Sequence, residues 1–237
     1  MPHSHATYEE GHHRNVQSGG ARAAVFGVSD GLVSNVSLIL GVAGAHPGGT
    51  VVRLAGLAGL VAGAFSMGAG EYVSMQAQRE LLERELDVER EALQKSPIAE
   101  RHELAAIYER RGIDPALARE LVEEVMRDPV VALEVHAREE LGIDPGSLGS
   151  PVLAAASSFV TFALGAVLPL IPWLVARGTG AVLASIAVGA VAAAAVGVTL
   201  GVLTGRSLWR SGARQLLVAA VAAGITYGIG RAVGVAT

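Results

Sequence analysis

A single carboxylate, Asp30, lies in an otherwise apolar run from Ala23 to Val52 that only small polar residues and His46 interrupt. At the depth of a bilayer such a group costs about 2.5–3.5 kcal/mol on insertion scales, so a membrane segment keeps one only where something offsets that cost. A cation, a proton or a buried partner group would each do so. Asp30 is therefore the first candidate for a residue that handles an ion or a proton.

Two stripes of polar residues at helical spacing include or face this position. They consist of Asp30, Ser34, Ser37 and Gly41 and of Met67, Glu71, Ser74, Met75 and Gln78. Oxygen ligands together with a thioether suit Fe²⁺ or Mn²⁺ better than Mg²⁺ or Ca²⁺, which prefer oxygen alone. The predicted transport path consists of Asp30, Ser34, Met67, Glu71 and Met75. Ordinary packing would explain Met67 alone, and solvation near the membrane interface would explain Glu71 alone.

A second group of candidate ligands lies in an acidic segment, from Gln78 to Ser147, that holds 18 acidic residues against 10 basic ones, a net charge of −8. Within it, carboxylates and a histidine recur about one helical turn apart, which places pairs of ligands on one helix face. The predicted metal ligands are Glu85, Glu89, Glu100, Glu103, His136 and Glu140. The alternative for each glutamate pair is a solvated face paired with Arg84, Arg90 and Arg101.

Long stretches of the chain outside this segment carry no charge. Of the 237 residues 51% are hydrophobic, and five stretches reach the length of about 20 apolar residues that a membrane-spanning helix needs. They cover residues 23–45, 51–75, 151–175, 180–204 and 212–235. We predict an all-α fold: a polytopic membrane protein with five transmembrane helices and a helical cytoplasmic insert between the second and the third.

Several classes of function are disfavoured by what the sequence lacks. It has no cysteine, hence no disulfide framework and no thiolate metal site. It has no basic patch of the kind that binds nucleic acid, so we expect no nucleic-acid partner. Phosphate-binding loops and nucleophile motifs are also missing, and we predict that the protein is not an enzyme.

The chain divides into four predicted parts. These are a flexible, histidine-containing tail (1–20), the first two transmembrane helices (21–77), the acidic helical metal-binding domain (78–149) and the last three transmembrane helices (150–237). Because arginine near a span is preferentially retained in the cytoplasm, the loop with Arg206, Arg210 and Arg214 is expected on that side. The N-terminus and the insert share it.

Local signals predict the helices of the insert. No proline lies between Gly68 and Lys95, so the second span is expected to continue out of the membrane as one long helix. Ser96, Asp114 and Asp128 each stand directly before a proline and so predict three helix starts, near residues 97, 115 and 129.

Small residues recur at four-residue spacing within the spans. The sets are Gly27 and Gly31, Gly59 and Gly63, Gly189-Ala193-Gly197-Gly201-Gly205, and Gly224 and Gly228. Since lipid gives no hydrophobic drive for helix association, such faces predict close packing and oligomerisation.

Several motifs, in order, resemble those of the vacuolar iron transporter family. The first two groups are the most specific, and the resemblance covers nearly the whole chain from about Ala21. The motifs are Ser29-Asp30-Gly31-Leu32-Val33-Ser34 with Gly41-Val42-Ala43-Gly44-Ala45, then Ala64-Phe65-Ser66-Met67-Gly68 with Gly70-Glu71-Tyr72-Val73-Ser74, then Ala106-Ile107-Tyr108, Gly112-Ile113-Asp114-Pro115 and Glu140-Leu141-Gly142. In its insert the chain is closer to prokaryotic than to plant members.

The resemblance implies a five-span homodimer that exports Fe²⁺ and related ions from the cytosol in exchange for protons. It also implies that the helical insert is a cytoplasmic metal-binding domain. The family's transport positions fall on Asp30 and Met67, and its insert ligands on Glu89, Glu100, Glu103 and Glu140.

Three positions depart from the family pattern that the resemblance implies. Gly59 stands where plant members have a membrane glutamate, Ala92 stands where the family has an insert glutamate, and His136 stands where it has a methionine ligand. Because glycine has no carboxylate, position 59 cannot carry a proton in exchange for the metal ion. Glu71, one turn from Met67, is the candidate to replace it, although at a different depth.

The leading hypothesis is an exporter of Fe²⁺, and of Mn²⁺ or related ions, that works by proton antiport. We expect an integral protein of a prokaryotic cell membrane, surrounded by lipid, whose insert collects ions and also binds Zn²⁺ or Co²⁺. Two alternatives stand beside it: a membrane-anchored metal sensor or store whose spans only dimerise, and a cation or proton channel.

Overall fold

The computed structural model describes residues 19–46, 48–147 and 149–236, which form helices joined by short turns and no strand. The helices are α1 (Gly19–Gly44), α2 (Gly49–Lys95), α3 (Pro97–Arg110), α4 (Pro115–Val125), α5 (Pro129–Glu139), α6 (Pro151–Val167), α7 (Ile171–Val175), α8 (Gly178–Leu203) and α9 (Leu208–Ala236). The tail predicted to be flexible lies outside the described residues except for its last two positions. Its histidines, all outside, are His3, His5, His12 and His13.

Five helical segments are long and apolar enough to cross a membrane, which confirms the predicted all-α membrane fold. They are α1, α2, α6 continued by α7, α8 and α9. The third span is not one regular helix, because a short 3-10 turn at Leu168–Leu170 joins α6 to α7. Pro169 and Pro172 lack the N–H groups that a continuous α-helix requires there.

The longest helix is α2, with 47 residues. At 1.5 Å per residue it extends about 70 Å, more than twice the roughly 30 Å of a bilayer core. Its first half is apolar, whereas its second half carries closely spaced acidic and basic side chains such as the ion pair of Arg79 with Glu83. One unbroken helix therefore joins the membrane bundle to the acidic segment.

In the membrane bundle, α1 lies at the centre and contacts α2, α6, α8 and α9. Glycine allows the backbones of α1 and α6 to approach closely. A Cβ atom at Gly31 would meet the backbone of Phe162, and one at Gly165 would meet the carbonyl oxygen of Val28. Side chains at these positions would force the two helices apart.

The other predicted small-residue faces differ in how this chain uses them. Four members of the row in α8 are buried, namely Gly189, Ala193, Gly197 and Gly201. A Cβ atom at Gly224 or Gly228 of α9, by contrast, would meet no atom of the described chain within 4 Å. The packing of α9 against α1 uses Gly230 and Gly234 instead, which lie against Gly41 and Ala45.

The acidic segment folds as three short helices that pack on one another and on the second half of α2. Their apolar core contains Leu104, Ala105 and Val122. Two helices start as the sequence predicts, because the Asp114 carboxylate accepts hydrogen bonds from the first N–H groups of α4 and Asp128 does the same for α5.

The third expected cap, Ser96, behaves differently. Its side chain makes no capping hydrogen bond, although α3 begins at the next residue, Pro97. The backbone N–H of Ser96 donates to the carbonyl oxygen of Ala92 and so closes α2. One residue thus ends α2 and precedes α3, which fixes α3 directly beside the end of the long helix.

Candidate functional site

An open groove of about 480 Å³ lies between α1 and α2. Four residues of the predicted path line it: Asp30 and Ser34 from α1, and Met67 and Glu71 from α2. The other lining residues are Phe26, Asn35, Leu38, Gly59, Gly63, Ser66, Gly70 and Phe162. The groove brings two carboxylates, a thioether, hydroxyls and an amide to one surface of the bundle.

Two side-chain hydrogen bonds lie on either side of Asp30 in α1. The hydroxyl of Ser34 donates to the Asp30 carbonyl oxygen at 2.6 Å. On the other flank, Nε2 of Gln215 in α9 donates to the Ser29 hydroxyl oxygen at 2.5 Å. The Asp30 side chain is exposed in the groove. It is therefore presented from a part of α1 that a side-chain hydrogen bond joins to α9.

Five residues of the predicted stripes do not line the groove, namely Ser37, Gly41, Ser74, Met75 and Gln78. Met75 is buried, and its Cε methyl reaches the turn before α6, where a Cβ atom on Gly149 would come within 2.6 Å of it. Ser37 lies at the contact with α9, since its carbonyl oxygen accepts the hydroxyl of Thr226 at 2.8 Å. Gly41 packs against the same Thr226. The groove does not include them.

Asn35 lines the groove although the sequence analysis did not select it. The residue is only 2% exposed, and its Nδ2 donates to the carbonyl oxygen of Ala166 in α6 at 2.6 Å. Its position, five residues after Asp30, falls outside the i, i+4 spacing that defined the stripe. The available signal was the amide itself, because a polar side chain in a span needs a partner.

The wall of the groove facing Asn35 has no room for a side chain at position 59. A Cβ atom on Gly59 would collide with Cδ2 of Leu38 and lie 3.0 Å from Oδ1 of Asn35. The glutamate that the resemblance places at this position therefore does not fit without movement of α1 side chains. The second carboxylate of the groove is Glu71, which lies 12 residues farther along α2.

Outside the bundle, α2, α3 and the end of α5 bring four carboxylates and one imidazole together in two overlapping groups. They are Glu89, Glu100 and His136, all buried, and Glu100, Glu103 and Glu140, of which only Glu100 is buried. In each group the ligand atoms lie within 4.8 Å of one another. One ion can bridge such separations, since metal–ligand bonds are about 2.0–2.6 Å long.

The buried imidazole of His136 is oriented by its own helix. Its Nδ1 lies 2.9 Å from the carbonyl oxygen of Ala132, to which it donates in the Nδ1–H tautomer. That tautomer leaves the lone pair on Nε2, the nitrogen that lies on the side of Glu100. Histidine ligands in metal sites are commonly fixed by such a bond from the second nitrogen.

The four clustered glutamates are not neutralised by arginine or lysine. None of the ion pairs found between described residues includes them, and Arg90, one of the predicted partners, pairs with Asp87. Oε1 of Glu89 is buried without a hydrogen-bond partner. Glu85, although predicted as a ligand, is exposed and belongs to neither group. The uncompensated charge of the cluster suits a divalent cation.

The charge of the cluster also acts on its own acids. Burial raises the pKa of the Glu140 carboxyl, and the neighbouring Glu89, Glu103 and Glu100 raise it further, while His136 opposes them. The side chain is partly exposed, but the packing of α2 and α3 around it removes part of its hydration. A bound cation would reverse this effect, because it favours the ionised form.

Comparison with known proteins decides the family. A model of the VIT family matches residues 21–231, a stretch that contains both the groove and the cluster. Vacuolar iron transporter 1 of Oryza sativa subsp. japonica is 30% identical over 98% of this chain and 91% of its own length. The vacuolar iron transporter of Acanthamoeba castellanii is 35% identical over 90% of this chain and 78% of its own. The chain belongs to the vacuolar iron transporter family.

Family membership gives the general activity. Vacuolar iron transporters move a metal ion across a membrane, so this member is a metal ion transporter, and the family assignment supports the expectation that it is not an enzyme. The polar groove of this family member lies between the apolar parts of α1 and α2, and the acidic cluster lies on the polar second half of α2, on α3 and at the end of α5. Ion passage and ion capture thus have separate candidate locations.

The cluster predicts metal binding that depends on the shared ligand. Replacing Glu100 by Gln (E100Q) should weaken Mn²⁺ binding by about tenfold or more, because it removes an anionic ligand from both groups. Isothermal titration of the whole protein in detergent measures the affinity. Replacing exposed Glu85 by Gln (E85Q) removes the same charge from the same segment and should change the affinity little. Equal losses in the two variants would contradict the assignment of ligands.

The raised pKa of Glu140 predicts how this binding depends on pH. Protons compete with the cation, so Mn²⁺ binding should weaken as the pH is lowered from about 7.5 to about 5.5. The weakening should begin at a higher pH than it would for a site made of glutamates with the usual pKa. The sign follows from the raised pKa, since Glu140 takes up its proton early as the pH falls. Replacing Glu140 by Gln (E140Q) should weaken binding at pH 7.5 and make its pH dependence shallower. Titrations at several pH values measure both, and an unchanged slope would contradict the role of Glu140.

Proposed function

We propose that the protein exports Fe²⁺, and Mn²⁺ or related first-row ions, from the cytosol in exchange for protons. One observation carries the proposal: Asp30, Met67 and Glu71 line one groove in the membrane-spanning part of a vacuolar iron transporter family member. Carboxylate oxygens with a thioether suit these ions. Relatives in this family are named for iron, which supports Fe²⁺ as the substrate.

The order of groups along α2 gives a direction to the path. Glu71 lies nearest to the polar half of the helix, Met67 follows one turn deeper, and Asp30 faces the groove from α1. An ion that enters from the side of the insert meets Glu71 and Met67 and then Asp30. Because a proton and a cation compete for the same carboxylate, protonation from the far side would release the ion. This competition is the physical basis of the proposed antiport.

The insert is proposed to supply ions to the groove. Its buried ligands and net negative charge raise the local concentration of cations on its side of the membrane. The ligand chemistry of glutamate and histidine also admits Zn²⁺ and Co²⁺ at this cluster. Binding there without transport would provide the sensing or storage function that is the main alternative.

We place the insert and the N-terminus in the cytoplasm of a prokaryotic cell. Arg206, Arg210 and Arg214 lie at the connection from α8 to α9, on the same side as the insert in the five-span order. The two outer connections near α2 and α8 carry only Arg53 and Arg177. This asymmetry is the one that retains a loop in the cytoplasm.

Transport through the groove predicts the effect of one substitution. Replacing Asp30 by Asn (D30N) keeps the size of the side chain but removes the carboxylate, so Fe²⁺ uptake into proteoliposomes, and the proton flux coupled to it, should fall by about a hundredfold, to background. Metal uptake and internal pH are followed together with fluorescent indicators. Replacing exposed Asp87 by Asn (D87N), which removes the same group from the second half of α2, should leave both fluxes unchanged.

The same assay separates the alternatives. Wild-type protein that binds Mn²⁺ at the insert but moves no ion would support the sensor or store. Ion flux without a fixed ratio to protons would support a channel. Metal-coupled proton flux that survives in D30N would remove Asp30 from the proposed path.

We further propose that two copies of the chain close the groove. Asp30 is exposed in an open groove within the membrane-spanning bundle, and a carboxylate that faced lipid would be costly. A second copy placing the same face across a two-fold axis would cover both carboxylates and align two path surfaces. Light scattering of the protein in detergent should give twice the 24.2 kDa of one chain after subtraction of the detergent. A mass of one chain at transport-competent concentration would contradict the dimer.

A further inference from the structure

We infer that Asn35 is a further ligand of the transported cation, which it binds through Oδ1 as a neutral oxygen. The inference rests on the proposed transport function, because it assigns a residue to the same groove. It differs from the predicted path, which consisted of carboxylates, hydroxyls and thioethers. It also assigns a group to the region of the groove where Gly59 supplies no carboxylate.

The two ends of the Asn35 amide are in different situations. Nδ2 donates to the carbonyl oxygen of Ala166 at 2.6 Å. Oδ1 is buried and has no hydrogen-bond partner among the described residues. A flipped amide would place Oδ1, an acceptor, against the carbonyl oxygen of Ala166, which is also an acceptor. The bond to α6 therefore fixes Oδ1 as the atom that points away from α6. An orphaned acceptor in a span calls for a partner.

The direction of Oδ1 is towards the groove. It lies 3.0 Å from the point where a Cβ atom of Gly59 would be, and both residues line the groove. Gly59 is two helical turns from Met67 on the side away from the insert. An ion that has passed Met67 and Asp30 therefore meets Oδ1 next, on its way to the far side.

The Leu38 side chain lies next to Gly59, as Oδ1 of Asn35 does. Cδ2 of Leu38 occupies the space beside Gly59, which is why a Cβ atom there would collide with it. Leu38 is 38% exposed, so it is not locked by packing. Rotation of Leu38 would open the approach to Oδ1 without any change in the bond from Asn35 to Ala166.

The chemistry of an amide oxygen differs from that of the missing glutamate. Both are hard oxygen donors for a divalent cation, but the amide carries no charge and takes up no proton between pH 5 and 9. Asn35 thus binds the ion weakly and exchanges nothing for it. Such a ligand lets an ion move on once Asp30 has released it.

A purely structural role is the competing explanation. Asn35 would then serve only to tie α1 to α6 through Ala166, and its oxygen would face the groove by accident. That role predicts losses of folded protein and of maximal rate. It does not predict a change in the concentration dependence of transport or in the preference between ions.

The test compares Fe²⁺ and Mn²⁺ uptake by proteoliposomes for wild type and two variants. Replacing Asn35 by Leu (N35L) keeps the volume and removes the oxygen, so KM should rise about tenfold, and more for Mn²⁺ than for Fe²⁺, because the harder ion depends more on oxygen. Replacing Asn35 by Asp (N35D) keeps an oxygen ligand, and its KM should stay at or below the wild-type value. Unchanged KM in N35L, or a loss of maximal rate alone, would overturn the inference.

A variant of Gly59 tests the same inference if N35L does not fold. Replacing Gly59 by Ala (G59A) displaces Leu38 and puts a methyl group 3.0 Å from Oδ1 without touching Ala166, so the methyl group should block Oδ1 and KM should rise for both ions. Replacing Gly224 by Ala (G224A) adds a methyl group in open space and should change nothing. An unchanged KM in G59A would overturn the inference. Wild-type protein that transports neither ion would instead show that the proposed function itself has failed.

Discussion

Hydrocarbon offers no hydrogen bonds, and this constraint governs every polar group in the five spans. The structure meets it in two ways. Some groups are satisfied inside the bundle, as when Thr226 donates to Ser37 or Ser34 donates to the Asp30 backbone. Others collect on the α1 and α2 face, where Asp30 and Glu71 line one groove. Much of the remaining bundle surface is formed by exposed apolar side chains such as Leu183, Val191 and Leu217, which can face lipid.

Close packing makes that arrangement possible. Glycines at the α1 and α6 contact bring backbone against backbone, so that Asn35 can reach the carbonyl oxygen of Ala166. Between α1 and α2, a side chain at Gly59 would meet Cδ2 of Leu38 and Oδ1 of Asn35, so a larger residue there requires Leu38 to move. The glycine at this position, where plant members have a glutamate, is therefore also favoured for steric reasons. Leu38 and Asn35 of α1 occupy the space beside Gly59, so a change on either helix requires a change on the other.

Much of this could be predicted from the sequence, because the signals concerned are local. Long stretches without charge predict the spans, and prolines after capping residues predict the starts of α4 and α5. The cost of a carboxylate at membrane depth singles out Asp30. Helical spacing alone placed Ser37 and Gly41 in a polar stripe and Met75 in the path, but α9 and the turn before α6 decide what those residues contact. Asn35 was missed for the same reason, since its importance comes from Ala166, 131 residues away.

The unbroken course of α2 has a mechanical meaning. Glu71 in the groove and Glu89 in the cluster lie 18 residues apart on one helix, a separation of about 27 Å. Such a helix is a stiff rod, so a tilt of about 5° about either end displaces the other by about 2 Å. A cation that drew the cluster together and so tilted α2 would also move the wall of the groove. The occupancy of the cluster would then be linked to the width of the groove through one helix.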